Sequence, residues 1–191
     1  PEKVRAVREW PVPNNLTAVR AFVALAAYYR RFIKDFAKVA RPLYDLTKKG
    51  YRFCWGPEQQ VAFETLKDRL TTAPVLVPPM DGQEYILDTD CSNVSAGAVL
   101  QQRQNGEIKV IAYASRVLNE AELAYCTTRK ELAALIFGLK QFRHYLLLTD
   151  FTLRVDHSAL TSLLRTPEPV GQAARWLDFL ADYRFKIVHR A

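Results

Sequence analysis

Read for spacing alone, the first quarter of the chain is helical. After Pro11 and Pro13, the residues Leu16, Val19, Val23 and Ala26 recur at helical spacing behind the caps Asn14 and Asn15, and the pattern runs on into Tyr28 to Ile33. A second apolar patch, Phe36, Val39, Leu43 and Leu46, closes on Lys48, Lys49 and Gly50, a basic last turn with a glycine stop. Two short helices are therefore predicted within residues 1–50. Trp55, Gly56 and Pro57 then break the chain before a third helix with Phe63, Leu66 and Leu70 on one side. Pro74, Pro78 and Pro79 make the next stretch extended, so residues 51–80 read as a connecting helix and linker, with a domain boundary near 80.

From residue 84 the period changes. Glu84 to Asp90, Ala96 to Gln102 and Ile108 to Ser115 read as strands, the last two joined by a turn at Gln104, Asn105 and Gly106, which gives an antiparallel meander. A long helix follows, with Leu132, Leu135, Ile136, Leu139, Phe142 and Leu146 at helical spacing, and then a strand from Phe151 to Val155. A strand, a helix and a strand return the chain parallel to the meander. Helical stretches at Ala159 to Leu164 and Ala173 to Leu180 precede a last strand from Arg184 to Val188. Residues 81–191 thus form an α/β domain, a mixed sheet with helices packed on it, preceded by a small helical arm.

At 49% hydrophobic and 25% charged, the chain can bury a core. It has no apolar run near the roughly 20 residues that span a bilayer and no charged-then-apolar leader, so an intracellular, cytoplasmic setting with no membrane partner is expected. Cys54, Cys91 and Cys126 fit neither a disulfide framework nor a Cys-x-x-Cys knuckle and read as reduced thiols. The net charge of +7 is unevenly placed: residues 1–50 hold 11 of the 27 Lys and Arg but only 4 of the 20 Asp and Glu, leaving 16 against 16 in the rest. The arm therefore points to a polyanion, or is simply a solvated basic face. A chain that opens on Pro1 reads as a piece of a longer one.

Three carboxylates fall at element ends. Asp90 closes the first strand, with Asp88 on the same face two residues back; Asp156 closes the strand after the long helix; and Glu131 lies in that helix in line with Leu135, Leu139 and Phe142, the face turned to the sheet. Each has a structural alternative. Thr128 to Glu131 reads as a capping box, Asp156 as an N-cap ahead of Ser158, and Asp90 as a strand terminator. If the three converge, their charges repel unless a hard cation intervenes, and all-oxygen ligands suit Mg²⁺ bridged to a phosphate.

The stretches LDTDCSNVSAGAVLQQ, IAYASRVLNEAELAYCTTRKELAALIFGLKQFRHYL and FTLRVDHSALTSLL, in this order, resemble the ribonuclease H (RNase H) domain of gypsy-class LTR retrotransposon polyproteins. Upstream, VREWPVPNNLTAVRAFVALAAYYRRFIKDFAKVARPLYDLTKKG and FCWGPEQQVAFETLKDRLTTAPVL are similar to the thumb and connecting segment of the same reverse transcriptases. The resemblance implies an RNase H-like fold in residues 81–191 and a thumb-like role for the arm. It implies that Asp90, Glu131 and Asp156, but not Asp88, hold two Mg²⁺ ions, for which Mn²⁺ substitutes, and that the RNA strand of an RNA/DNA hybrid is cut. The implied partners are the hybrid and the remaining fingers and palm of the reverse transcriptase, within a virus-like particle; a dimer is left open.

Ser92, Asn93, Ser115 and Arg116 flank the same sheet edge as candidate contacts to the hybrid backbone, with plain surface solvation as the alternative. His157, beside Asp156, is a candidate for proton transfer or for helix capping. The chain departs from the family at Cys91, where Ala is usual, and at Ser95, where Gly is usual; both are small. In the family the last strand leads into a Pro-Gly turn and a final helix with a fourth metal-binding acid. A chain ending at Ala191 is therefore expected to be C-terminally truncated and weak in isolation. The rival reading is a non-catalytic, retroelement-derived module that binds nucleic acid or assembles with a partner.

Overall fold

The structure, a computed structural model, describes residues 2–72, 76–155 and 171–189. Helix α1 (Glu2–Arg8) opens the arm, followed by α2 (Leu16–Tyr28), a single 3₁₀ turn at Arg30–Phe32, α3 (Phe36–Leu46) and α4 (Pro57–Thr71). Asn15 starts α2 as expected, its side chain accepting from Ala18 N at 2.9 Å. Phe22, Leu43, Phe63 and Leu66 are fully buried in one cluster shared by α2, α3 and α4. The connecting helix is thus the third wall of the arm's core, because its Phe63 and Leu66 face the apolar stripes of the other two. Helix α1 escaped the periodicity reading, since Val4 and Val7 alone make too short a pattern.

The second core lies on one face of a five-stranded sheet in the order β3-β2-β1-β4-β5. Strands β1 (Tyr85–Cys91), β2 (Ser95–Gln104) and β3 (Glu107–Val117) form the antiparallel meander, and β4 (Asp150–Val155) and β5 (Arg184–His189) add on parallel. The β2–β3 turn is the expected Asn105-Gly106 pair, both at positive φ of 52° and 82°. Between β3 and β4 come α5 (Glu120–Leu123), α6 (Thr127–Gln141) and α7 (Arg143–Leu146); α8 (Gln172–Ala181) precedes β5. Leu87, Leu100 and Leu153 from the strands meet Leu135, Leu139 and Leu146 from the helices. The single long helix expected through Leu146 is broken at Phe142, where φ −107° and ψ 19° leave the helical region, and the turn to α7 lets Leu146 reach the core. The expected helix at Ala159 to Leu164 lies outside the described residues.

Two junctions tie the cores together. Gln102, fully buried on β2, donates from Nε2 to Met80 O and Gln83 O and accepts at Oε1 from Met80 N, while Gln104 Nε2 donates to Pro78 O at 2.9 Å. Val77 N adds a bond to Val110 O, so the proline-rich linker is clasped to the sheet. On the sheet's other face, the start of α3 docks against β3: Ala37 N donates to Ser115 Oγ at 2.9 Å, 78 residues away. Asp35, the residue before α3, has a left-handed φ of 55° and no capping bond from its own side chain, and Ser115 satisfies the orphan N–H in its place.

Candidate functional site

The register places Asp90, Gly97 and Ser115 side by side across β1, β2 and β3. They share the face on which the arm docks, because Ser115 holds Ala37 and a side chain at Gly97 would meet Asp35 Oδ1 at 3.1 Å. The next residue along, Cys91, lies in a row with Ala96 and Arg116 and turns to the opposite face, toward α6. Gly138 makes that approach of α6 close: a Cβ there would stand 3.0 Å from Thr89 Cγ2 and 3.1 Å from Ala98 Cβ.

Glu131 is half-buried on α6, in line with the buried Leu135 and Leu139 as the spacing predicted. The helix begins at Thr127 with Cys126 at its cap, so Thr128 is its second residue and not an N-cap. The expected capping box at Thr128 to Glu131 is therefore not formed. A capping box does occur one helix earlier, between Asn119 and Glu122, with reciprocal bonds of 2.9 and 3.0 Å. The Asn-x-x-Glu spacing carried that signal in the sequence.

Burial, then the negative charges of Glu131 and Asp90, push the Cys91 thiol up to about 11. Both acids thus act on one thiol: Asp90, exposed at the end of β1, from the arm side, and Glu131 from the helix side. Asp156 and His157 lie outside the described residues; β4, described to Val155, runs parallel to β1, so its end lies at the same edge of the sheet. Among the described residues no group of three or more His, Cys, Asp or Glu gathers closely enough to hold a metal ion. Asp90 and Glu131 offer oxygen donors only, a set that fits a hard divalent cation.

Asp88 has a different part. It is buried, accepts Arg154 Nε at 2.5 Å and Nη2 at 2.6 Å, and takes Gln101 Nε2 at 2.7 Å. Its charge is matched inside the sheet, whereas Asp90 is exposed.

Of the candidate backbone contacts, Ser92 builds its own turn, accepting from Ser95 N at 3.0 Å. Ser115 is engaged by the arm, and Arg116 is paired bidentately with Glu122 at 2.6 and 2.7 Å beneath its stack on Phe137. That pair holds Glu122 below the usual carboxylate range, first through the Arg116 hydrogen bond. Asn93 alone of the four is exposed at the turn. Sequence reasoning missed Lys34 and Asp35, which line a pocket of about 160 Å³ together with Asp88, Asp90, Gln101 and Tyr113. Their only signal was a charged pair ahead of a helix.

The family described as "RNase H-like domain found in reverse transcriptase" matches residues 55–153, from the break before α4 to β4. This chain belongs to the RNase H-like domains of reverse transcriptases. Over 188 residues, 98% of its length, it is 39% identical to the "Retrovirus-related Pol polyprotein from transposon 297" of Drosophila melanogaster. Over 194 residues it is 35% identical to the "Transposon Tf2-3 polyprotein" of Schizosaccharomyces pombe. It spans only 17% and 15% of those two proteins. In fold, the RNase H-like sheet and its arm together follow a foamy viral protease-reverse transcriptase solved with dsDNA, at TM-score 0.79 and 22% identity, over 100% of this chain and 41% of that one. A foamy viral protease-reverse transcriptase solved with an RNA/DNA hybrid is similar at TM-score 0.78 and 21% identity, over 99% of this chain and 26% of that one.

Proposed function

We propose that this chain is the RNase H portion of a gypsy-class retrotransposon reverse transcriptase, hydrolysing the RNA strand of RNA/DNA hybrids. The observation that carries the reading is the match of residues 55–153 to the RNase H-like domain found in reverse transcriptase, within which Asp90 lies near the end of β1 and Glu131 on the side of α6 turned to the sheet. Asp156, one residue beyond β4, is the third acid of the set. These carboxylates would hold two Mg²⁺ ions, which would supply an activated water and charge stabilisation for hydrolysis of a phosphodiester.

The rest falls to the chain's own side chains. Arg116 is held by Glu122, which fixes its guanidinium at the edge of the sheet beside Cys91. The arm brings Arg30 and Arg31, both exposed, beside the exposed Tyr28, a surface suited to a phosphate backbone. Choice of RNA over DNA would rest on the 2′-OH. The foamy viral enzyme solved with a hybrid is in keeping with such a substrate.

The test is a hybrid-cleavage assay on the reverse transcriptase that carries this chain, with Mg²⁺, Mn²⁺ or chelator. Asp90→Asn, Glu131→Gln and Asp156→Asn are each expected to abolish cleavage of labelled RNA while leaving the circular dichroism spectrum unchanged. Cleavage that survives all three substitutions, or that persists in chelator, would hand the chain to the scaffold reading.

A further inference from the structure

We propose that Lys34, carried by the arm, is a substrate-positioning residue of the Asp90 site, holding a backbone phosphate of the duplex beside the strand to be cut. The inference rests on the nuclease reading above and adds a residue from outside the RNase H-like sheet.

The loop that carries Lys34 is pinned on four sides. Ile33 before it is buried at 1% exposure, and the Lys34 carbonyl accepts from Arg69 of α4. Asp35 after it adopts a left-handed conformation, which aspartate tolerates better than most residues, and rests its carboxylate against Gly97. Ala37 N is fixed to Ser115. A loop anchored this way delivers its side chains to one place.

That place is the row that contains Asp90. Strands stand about 4.8 Å apart, so Asp35 over Gly97 is one strand from Asp90, and Lys34 shares their pocket. The pocket holds three acids, of which Asp88 is already matched by Arg154. Asp35 and Asp90 remain, and they would repel a phosphodiester. Lys34 is the cation the loop brings among them; its ammonium forms no ion pair among the described residues and is exposed. Arg30 and Arg31 precede it on the 3₁₀ turn, and of these three cations Lys34 is the one that lines the pocket of the acids. A mobile, strongly hydrated ammonium suits a phosphate contact that must release the product.

The geometry also supplies a lever. A methyl at position 97 would stand 3.1 Å from Asp35 Oδ1, and relief requires the loop to move. Gly97→Ala therefore displaces Lys34 without touching its charge, and adding Asp35→Gly removes the clash while keeping the left-handed backbone.

The experiment measures hybrid cleavage by the reverse transcriptase that carries this chain, varying salt and Mg²⁺. Lys34→Ala should raise KM for the hybrid about fivefold with kcat within about twofold, and lower the slope of log KM against log salt by about 1. Gly97→Ala should give the same KM rise, add nothing on top of Lys34→Ala, and be rescued by Asp35→Gly. Arg103→Gln, an equal charge loss at the far end of β2, should change neither KM nor slope. An unchanged KM for Lys34→Ala in an enzyme whose parent cleaves would overturn the inference and leave the nuclease reading standing. A changed Mg²⁺ requirement with an unchanged KM would make Lys34 a counter-ion of the acids and overturn it equally. A parent that does not cleave brings down both. Melting curves report whether Gly97→Ala has unfolded; if so, the decision falls on the Lys34 variant and the rescued double variant.

Discussion

Replacing Arg154 with methionine separates the two aspartates of β1 by what each does. In the folded chain the Asp88 side chain is 10% exposed and receives two hydrogen bonds from Arg154 and one from Gln101. Without Arg154 the carboxylate keeps a single neutral donor, in a strand that cannot turn it to water. Breaking a buried ion pair by removing one partner costs about 3–5 kcal/mol. The Arg154 side chain is 28% exposed, so water enters the gap, and we take the lower end, about 3 kcal/mol. At about 2–4 °C per kcal/mol for a chain of this length, the melting midpoint should fall by about 6–12 °C. Asp90→Asn alters an exposed group and should stay within about 0.5 kcal/mol. Arg154→Met combined with Asp88→Leu should regain most of the loss, since an apolar pair leaves no charge stranded. Thermal and urea unfolding followed by circular dichroism decide the matter. A loss below about 1 kcal/mol for Arg154→Met, or an equal loss for Asp90→Asn, refutes the division of roles.

Gly138→Ala should destabilise by about 1–3 kcal/mol through overpacking against Thr89 and Ala98, and, by lifting α6, should weaken divalent-cation binding measured by calorimetry. Cys91, held protonated up to about 11, should be alkylated at pH 8 about a hundredfold more slowly than the exposed Cys54 and Cys126, as read by mass spectrometry. Its raised pKa favours the fold fully below about 9, and that contribution should be lost as pH rises through about 11, visible as a steeper alkaline fall in melting temperature. Arg30→Gln with Arg31→Gln should reduce the salt slope of hybrid binding by about 2, measured by fluorescence anisotropy; these substitutions test the arm better than deleting residues 1–50, which would strip Phe63 and Leu66 of their packing.

Much of this was legible because period and turn chemistry agreed. The meander was readable from alternation and the Asn105-Gly106 turn, and the sheet-facing line Glu131, Leu135, Leu139 from helical spacing alone. What escaped was set by contacts distant in sequence. Nothing near Phe36 announces that its helix is capped by Ser115, so Asp35 read as ordinary charge. The capping box at Thr128 was a fair local reading, but the helix starts two residues earlier than that box requires. Asp88 and Asp90 share a strand face and a residue type; burial and the donors Arg154 and Gln101 on the neighbouring strands divide them physically.

The clasp formed by Gln102 and Gln104 bears on how a protease would meet this chain. Pro78 to Gly82 are exposed backbone between two cores, the composition at which a nick is ordinarily expected. Proteases bind several residues drawn out straight, and here Pro78, Met80 and Gln83 are bonded to buried glutamine side chains while Val77 is bonded to β3. Cutting must wait for those bonds to open together. Digestion at this point therefore tracks the population of the opened form, and a protease titration would read the free energy of unclasping in place of surface accessibility.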